Sequence, residues 1–186
     1  IMDFPELKSI YEKNKEQWEK YWNDNVDRLE KTKDKIEREF KKFDLSVFDK
    51  VARFFETKPP EEIDIIVCMG SNREKAMGSV NLFRKKVLIF PRKSEEQPKD
   101  EFSSEISAIV HEIVHLCQNW EKILIKDRDM AFLEKTAACF ASKGILINGD
   151  KVKREGKSLE FYNTIKNAFE KEKTISEIRD KLEESK

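Results

Sequence analysis

Both histidines of the chain fall within five residues, His111-Glu112-Ile113-Val114-His115. On a helix, side chains four residues apart stand one above the other on the same face. His111 and His115 can therefore present two imidazole nitrogens to one metal ion. Glu112 lies about 100° round the helix from His111, within reach of a water held by that metal. A carboxylate in that position is the group that takes a proton from the water.

The metal needs a third protein ligand, because a catalytic zinc site keeps three protein ligands and one position open. The chain has only two His, so the third ligand is Glu, Asp, Cys or Tyr. Glu134 is the best placed of these. The eighteen residues between it and His115 allow one connection and a returning helix. Its own helix carries Ala138 and Ala141, small enough to let two helices approach closely.

These residues must be positioned by elements, and the pattern of apolar residues predicts them. Ile106, Ile109, Ile113, Leu116 and Trp120 recur at three- and four-residue steps, so 103–120 reads as an amphipathic helix with His111 and His115 nearly opposite the stripe. Asp100 is its expected N-cap. Residues 4–43 contain no Gly and a single Pro near the start, and read as one or two long helices with a sparse aromatic stripe, a packing seam. A short helix over 48–55 is expected to end at the Pro59-Pro60 pair. Residues 63–69 form a run rich in β-branched side chains, expected as a buried strand. Residues 78–83 and 86–90 read as an antiparallel pair with a turn near Arg84-Lys85. Loops are expected at 70–77 and 91–100 and a connection at 121–129, then helices over 130–143, closed by Gly144, and over 158–171 and 174–182. The fold class is α+β, mostly helical, with a small mixed sheet upstream of the histidine helix. The chain divides into a charged helical segment (1–58), a core (59–148) and C-terminal helices packed on it (149–186).

Composition bounds the function. Of the 186 residues 40% are charged, with 37 Lys and Arg against 37 Asp and Glu. A balanced chain lacks the excess of positive charge that a nucleic-acid or anionic-membrane binder needs. There is no apolar run long enough to span a bilayer and no signal peptide, so a cytoplasmic protein is expected. Cys68, Cys117 and Cys139 show no C-x-x-C spacing and read as small buried residues in a reducing compartment. Cys117 points to the core side of its helix and is not counted as a ligand.

The segment H-E-I-V-H at 111–115, followed by E-K-T-A-A at 134–138, resembles the gluzincin group of zinc metallopeptidases, the thermolysin-like enzymes and their aminopeptidase relatives. The recognisable stretch runs from about residue 106 to 138. The resemblance implies a zincin-like fold, a Zn2+ ion held by His111, His115 and Glu134, and Glu112 as general base. It also implies that an edge strand within 78–90 binds an extended peptide or protein substrate. The chain departs from the family at particular places. Ala138 stands where an Asp often orients a ligand histidine, and the N-A-M-E-N or G-x-M-E-N motif that holds a free N-terminus is absent. Gln118 and Glu121 replace the Gly and third His of the metzincin pattern.

The activity implied is metal-assisted hydrolysis of peptide bonds, with Tyr162 as the candidate donor to the developing oxyanion. The other readings are a peptidase-like regulator devoted to a single partner, a zinc-binding scaffold without activity, and a latent enzyme covered by its C-terminal helices.

Overall fold

The structure, a computed structural model, describes residues 5–68, 77–81, 85–91, 104–118, 129–141, 144–147 and 156–184. Without a Gly to break it, the charged N-terminal stretch forms one helix, α1 (Pro5–Phe40). Next come α2 (Val47–Phe54) and the strands β1 (Asp64–Val67), β2 (Met77–Asn81) and β3 (Lys86–Phe90). The remaining helices are α3 (Ser104–Cys117), α4 (Asp129–Phe140), α5 (Gly156–Glu170) and α6 (Ile175–Glu184). The described residues are therefore mostly helical with one three-stranded mixed sheet, an α+β architecture. Most of the expected loops at 70–77 and 91–100, the Asp100 cap, Glu121 and the connection up to 128 lie outside the described residues.

The sheet has the order β1-β3-β2, with β1 parallel and β2 antiparallel to β3. β3 is thus central, and within 78–90 only β2 offers an edge. The register sets Ile65, Val87 and Val80 in one row and Val67, Ile89 and Gly78 in the next. Side chains alternate across a strand, so both rows lie on the face that carries the core. Val87 and Ile89 are fully buried there. β1 is not the wholly buried strand that its apolar run suggests. Only Ile65 and Val67 pack on the core, while Asp64 and Ile66 face outward and are exposed. An unbroken apolar run does not say how many faces of a sheet have a cover; among the described residues helices cover one.

α2 ends before the two prolines. Glu56 takes a left-handed conformation (φ 57°), and the Glu56 and Thr57 N–H groups donate to the carbonyls of Arg53 and Ala52. That is a Schellman closure, made without Gly. The Thr57 hydroxyl then donates to the Cys117 carbonyl at 2.6 Å, tying the end of α2 to the last turn of α3. Gly144 (φ 103°) follows α4, and the chain returns N–H groups of Ile145 and Leu146 to the Cys139 and Phe140 carbonyls.

One core joins all three stretches of the chain. It takes Ile36 from α1, Phe54 and Phe55 at the end of α2, Phe140 from α4, and Phe161 and Leu182 from the C-terminal helices. Phe54, Phe55 and Phe140 meet at ring-centroid distances of 5.0–5.8 Å. α3 crosses the middle of this core, with Ile106, Ile109, Val110 and Val114 at 0% exposure. No helix among the described residues is long and apolar enough to cross a membrane.

Candidate metal centre

α3 carries His111 and His115 on one face, and α4 runs beside it. Small side chains on α4, Ala137 among them, are buried. Of the two alanines expected to allow close approach, Ala141 is buried and Ala138 half-buried. Glu134 of α4 reaches both imidazoles. His111 Nε2 lies 3.0 Å from His115 Nε2, Glu134 Oε2 lies 3.2 Å from His111 Nε2, and Glu134 Oε1 lies 3.3 Å from His115 Nε2. Two donors on a tetrahedral zinc, with bonds of about 2.0–2.1 Å, stand about 3.3 Å apart. The two Glu134 contacts use different carboxylate oxygens; with one donor atom taken from each residue, the three corners of this triangle lie within 4.8 Å of one another, close enough to converge on one ion. Two nitrogens and one carboxylate are a donor set that suits zinc. Among the described residues, His111, His115 and Glu134 form the one cluster able to hold a metal ion.

The polar face of α3 is enclosed rather than open. The His115 side chain is 4% exposed, and Gln118 is buried as well. Their burial is supported by a chain of hydrogen bonds. Gln118 Nε2 donates to the Leu133 carbonyl at 3.0 Å and to Thr136 Oγ1 at 2.9 Å. The Thr136 hydroxyl in turn donates to the Leu133 carbonyl at 2.9 Å. With its amide nitrogen committed, Gln118 turns Oε1 to His115 Nδ1 at 2.7 Å. An amide oxygen only accepts, so Nδ1 holds the proton and Nε2 keeps its lone pair toward the triangle. Ligating histidines characteristically use their second nitrogen in this way. In the sequence Gln118 stands out only as a departure from the metzincin pattern, with no role of its own. The available signal was a polar side chain three residues after a ligand, where a helix brings it alongside.

Glu112 is 9% exposed and packs on β2 at Gly78. A Cβ at residue 78 would stand 2.6 Å from both Cγ and Oε1 of Glu112. Only a glycine lets the edge strand and this carboxylate come together. Burial pushes the Glu112 carboxyl up to about 7, and the Glu134 carboxylate adds to the shift. Burial, then the neighbouring His115, hold His111 below the usual imidazole range, against the opposing pull of Glu134.

A pH dependence follows for the metal-free chain. Unfolded, Glu112 loses its proton around its ordinary 4.5; folded, it keeps the proton to about 7. The folded state binds more protons across that window, so the Glu112 contribution to stability falls as pH rises from about 4.5 through about 7. His111, depressed from 6.5, works the other way below that pH. The Glu112 part is therefore read as the difference between parent and Glu112→Gln in denaturant midpoint against pH. The parent should lose stability relative to the variant on going from pH 5 to pH 8. Identical profiles would remove the buried-carboxyl account.

Tyr162, the expected oxyanion donor, stands on α5 at 2% exposure among core side chains. Cys117 is fully buried and its thiol is pushed up to about 12, first by burial and then by Asp49, which suits a packing residue. The Glu134 side chain is 56% exposed, so the described residues leave one side of the triangle open. No family model, no curated protein and no solved structure matches this chain.

Proposed function

We propose that this chain is a zinc metallopeptidase of the gluzincin kind, zincin-like in fold, that hydrolyses peptide bonds in an extended peptide or protein substrate. The observation that carries the reading is the cluster of His111, His115 and Glu134, whose donor atoms, one from each, lie within 4.8 Å of one another, with Glu112 enclosed on the same helix. When bound, zinc supplies a Lewis acid that polarises the scissile carbonyl and brings the pKa of a water to about 7.

The chain's own residues do the rest. His111, His115 and Glu134 would hold the ion, and the exposed Glu134 side of the cluster would admit substrate. Gln118 fixes the His115 ring. Glu112 takes the proton of the attacking water and hands it to the leaving amine. Its buried setting favours the protonated form that exists between those two steps. β2 is an edge strand lying against α3, and its outer N–H and C=O groups can pair with an extended peptide.

The test is metal content combined with hydrolysis. Purified protein should carry close to one equivalent of zinc and cleave a denatured protein mixture. A chelator should stop cleavage and added zinc should restore it. A chain that binds no zinc, or that binds it and cleaves nothing with or without residues 149–186, would overturn the reading.

A further inference from the structure

The two helices of the metal centre are tied together by residues that are not themselves ligands. Gln118 follows directly on α3, and its amide has one oxygen that accepts and two N–H groups that donate. All of these are engaged. Oε1 faces His115 Nδ1 at 2.7 Å, while Nε2 gives one hydrogen to the Leu133 carbonyl and the other to Thr136 Oγ1. His115, Gln118 and Thr136 are all buried. The backbone beside Gln118 is held too, since the Cys117 carbonyl accepts the Thr57 hydroxyl at 2.6 Å.

The direction of this amide is decided on α4, not on α3. A carbonyl oxygen only accepts. With the amide turned over, Oε1 would face the Leu133 carbonyl at about the 3.0 Å now spanned by an N–H, and two buried acceptors would meet with no hydrogen between them. Thr136 adds to the same preference. Its one hydroxyl hydrogen goes to the Leu133 carbonyl at 2.9 Å, which leaves the oxygen's lone pairs for Gln118. A helical Thr that only back-bonds to its own helix is ordinary; this one also receives a hydrogen from the neighbouring helix.

Leu133 stands immediately before Glu134. The turn of α4 that carries the third ligand therefore also carries the two acceptors that set Gln118. We propose that Thr136 is a positioning residue of the metal centre: with the Leu133 carbonyl it fixes the Gln118 amide, and through that amide the His115 nitrogen that is turned, without its proton, toward Glu134. The proposal rests on reading His111, His115 and Glu134 as metal ligands. Docking of α4 on α3 then does two things at once. It brings Glu134 to the imidazoles, and it readies His115 to ligate.

The test begins without metal. The chain has two His, so their ring nitrogens can be assigned by nitrogen NMR. In the metal-free parent at pH 8, His115 should carry its proton on Nδ1. Thr136→Val keeps the volume and the β-branch but not the hydroxyl. It should raise the share of His115 protonated on Nε2 and lower the affinity for zinc by about 10-fold. Thr136→Ser, which keeps the hydroxyl, should behave as the parent in both measurements. In a Gln118→Ala background Thr136→Val should cost no further zinc affinity, because its effect passes through the amide. A parent with the proton on Nε2 of His115, a Thr136→Val chain with the parent's zinc affinity, or an undiminished loss in the Gln118→Ala background would each overturn the proposal. The failures are separable: a parent that takes up no zinc sinks the peptidase reading, while the proton on His115 still decides whether Thr136 sets the ring.

Discussion

Replacing Glu112 by Gln should leave a folded, zinc-loaded protein whose hydrolysis is lower by about 10²–10⁴-fold. The variant keeps the shape of a side chain that fits against Gly78 with no room to spare. It also keeps the helix-forming tendency of α3 and removes a carboxyl whose ionisation is opposed by burial. Stability at pH 8 should therefore equal or exceed that of the parent. What Gln cannot do is accept the water's proton and return it to the leaving amine. The informative comparison is zinc content, thermal midpoint and cleavage rate in one preparation. Activity near the parent's would remove Glu112 from the chemistry. Loss of zinc would make Glu112 a ligand instead of a base.

His115→Ala should lower the zinc content from near one equivalent to near none. The imidazole supplies the most enclosed of the three donor atoms, 3.0 Å from one partner and 3.3 Å from the other. Truncation leaves two donors, too few for the triangle to close. It also leaves Gln118 Oε1 in a buried setting without the N–H it accepts at 2.7 Å, a loss of about 1–3 kcal/mol in its own right. Gln118→Ala isolates the positioning part. All three ligands remain, but the His115 ring loses the partner that holds its proton on Nδ1, and zinc affinity should fall by about 10–100-fold. Full occupancy in His115→Ala would show that the triangle is not the metal site. Unchanged affinity in Gln118→Ala would show that the ring is oriented by something else.

The residues of the centre were legible in the sequence because a helix has a fixed period. Spacing of four residues places His111 above His115 wherever the helix sits, and no tertiary information is needed. The strand at 86–90 was legible from a short run of residues that favour extended backbone, Val87, Ile89 and Phe90 among them, and the structure sets β3 at Lys86–Phe90. Glu134 came from elimination, and contact with both imidazoles required the approach of α4 to α3.

Other features depended on which surfaces met. His111 and His115 stand nearly opposite the apolar stripe of their helix, yet the Gln118–Thr136 bonds allow His115 to be buried. The contact of Gly78 with Glu112 joins residues far apart in the chain, and nothing in the local pattern distinguishes this glycine from one that only loosens a strand. β1 was expected as a buried strand, and among the described residues it is half-buried, with Asp64 and Ile66 exposed. The aromatic seam of α1 has the same local pattern along its length, but the body covers it at Leu29 and Ile36 and not at Trp18. Local order of residues determined the helices, the strands and the pair of imidazoles, because hydrogen-bond period and side-chain alternation act over a few residues. Enclosure, exposure and the setting of Glu112 were decided only by the tertiary structure. Burial depends on the element packed opposite, and the sequence of one element does not contain its neighbour.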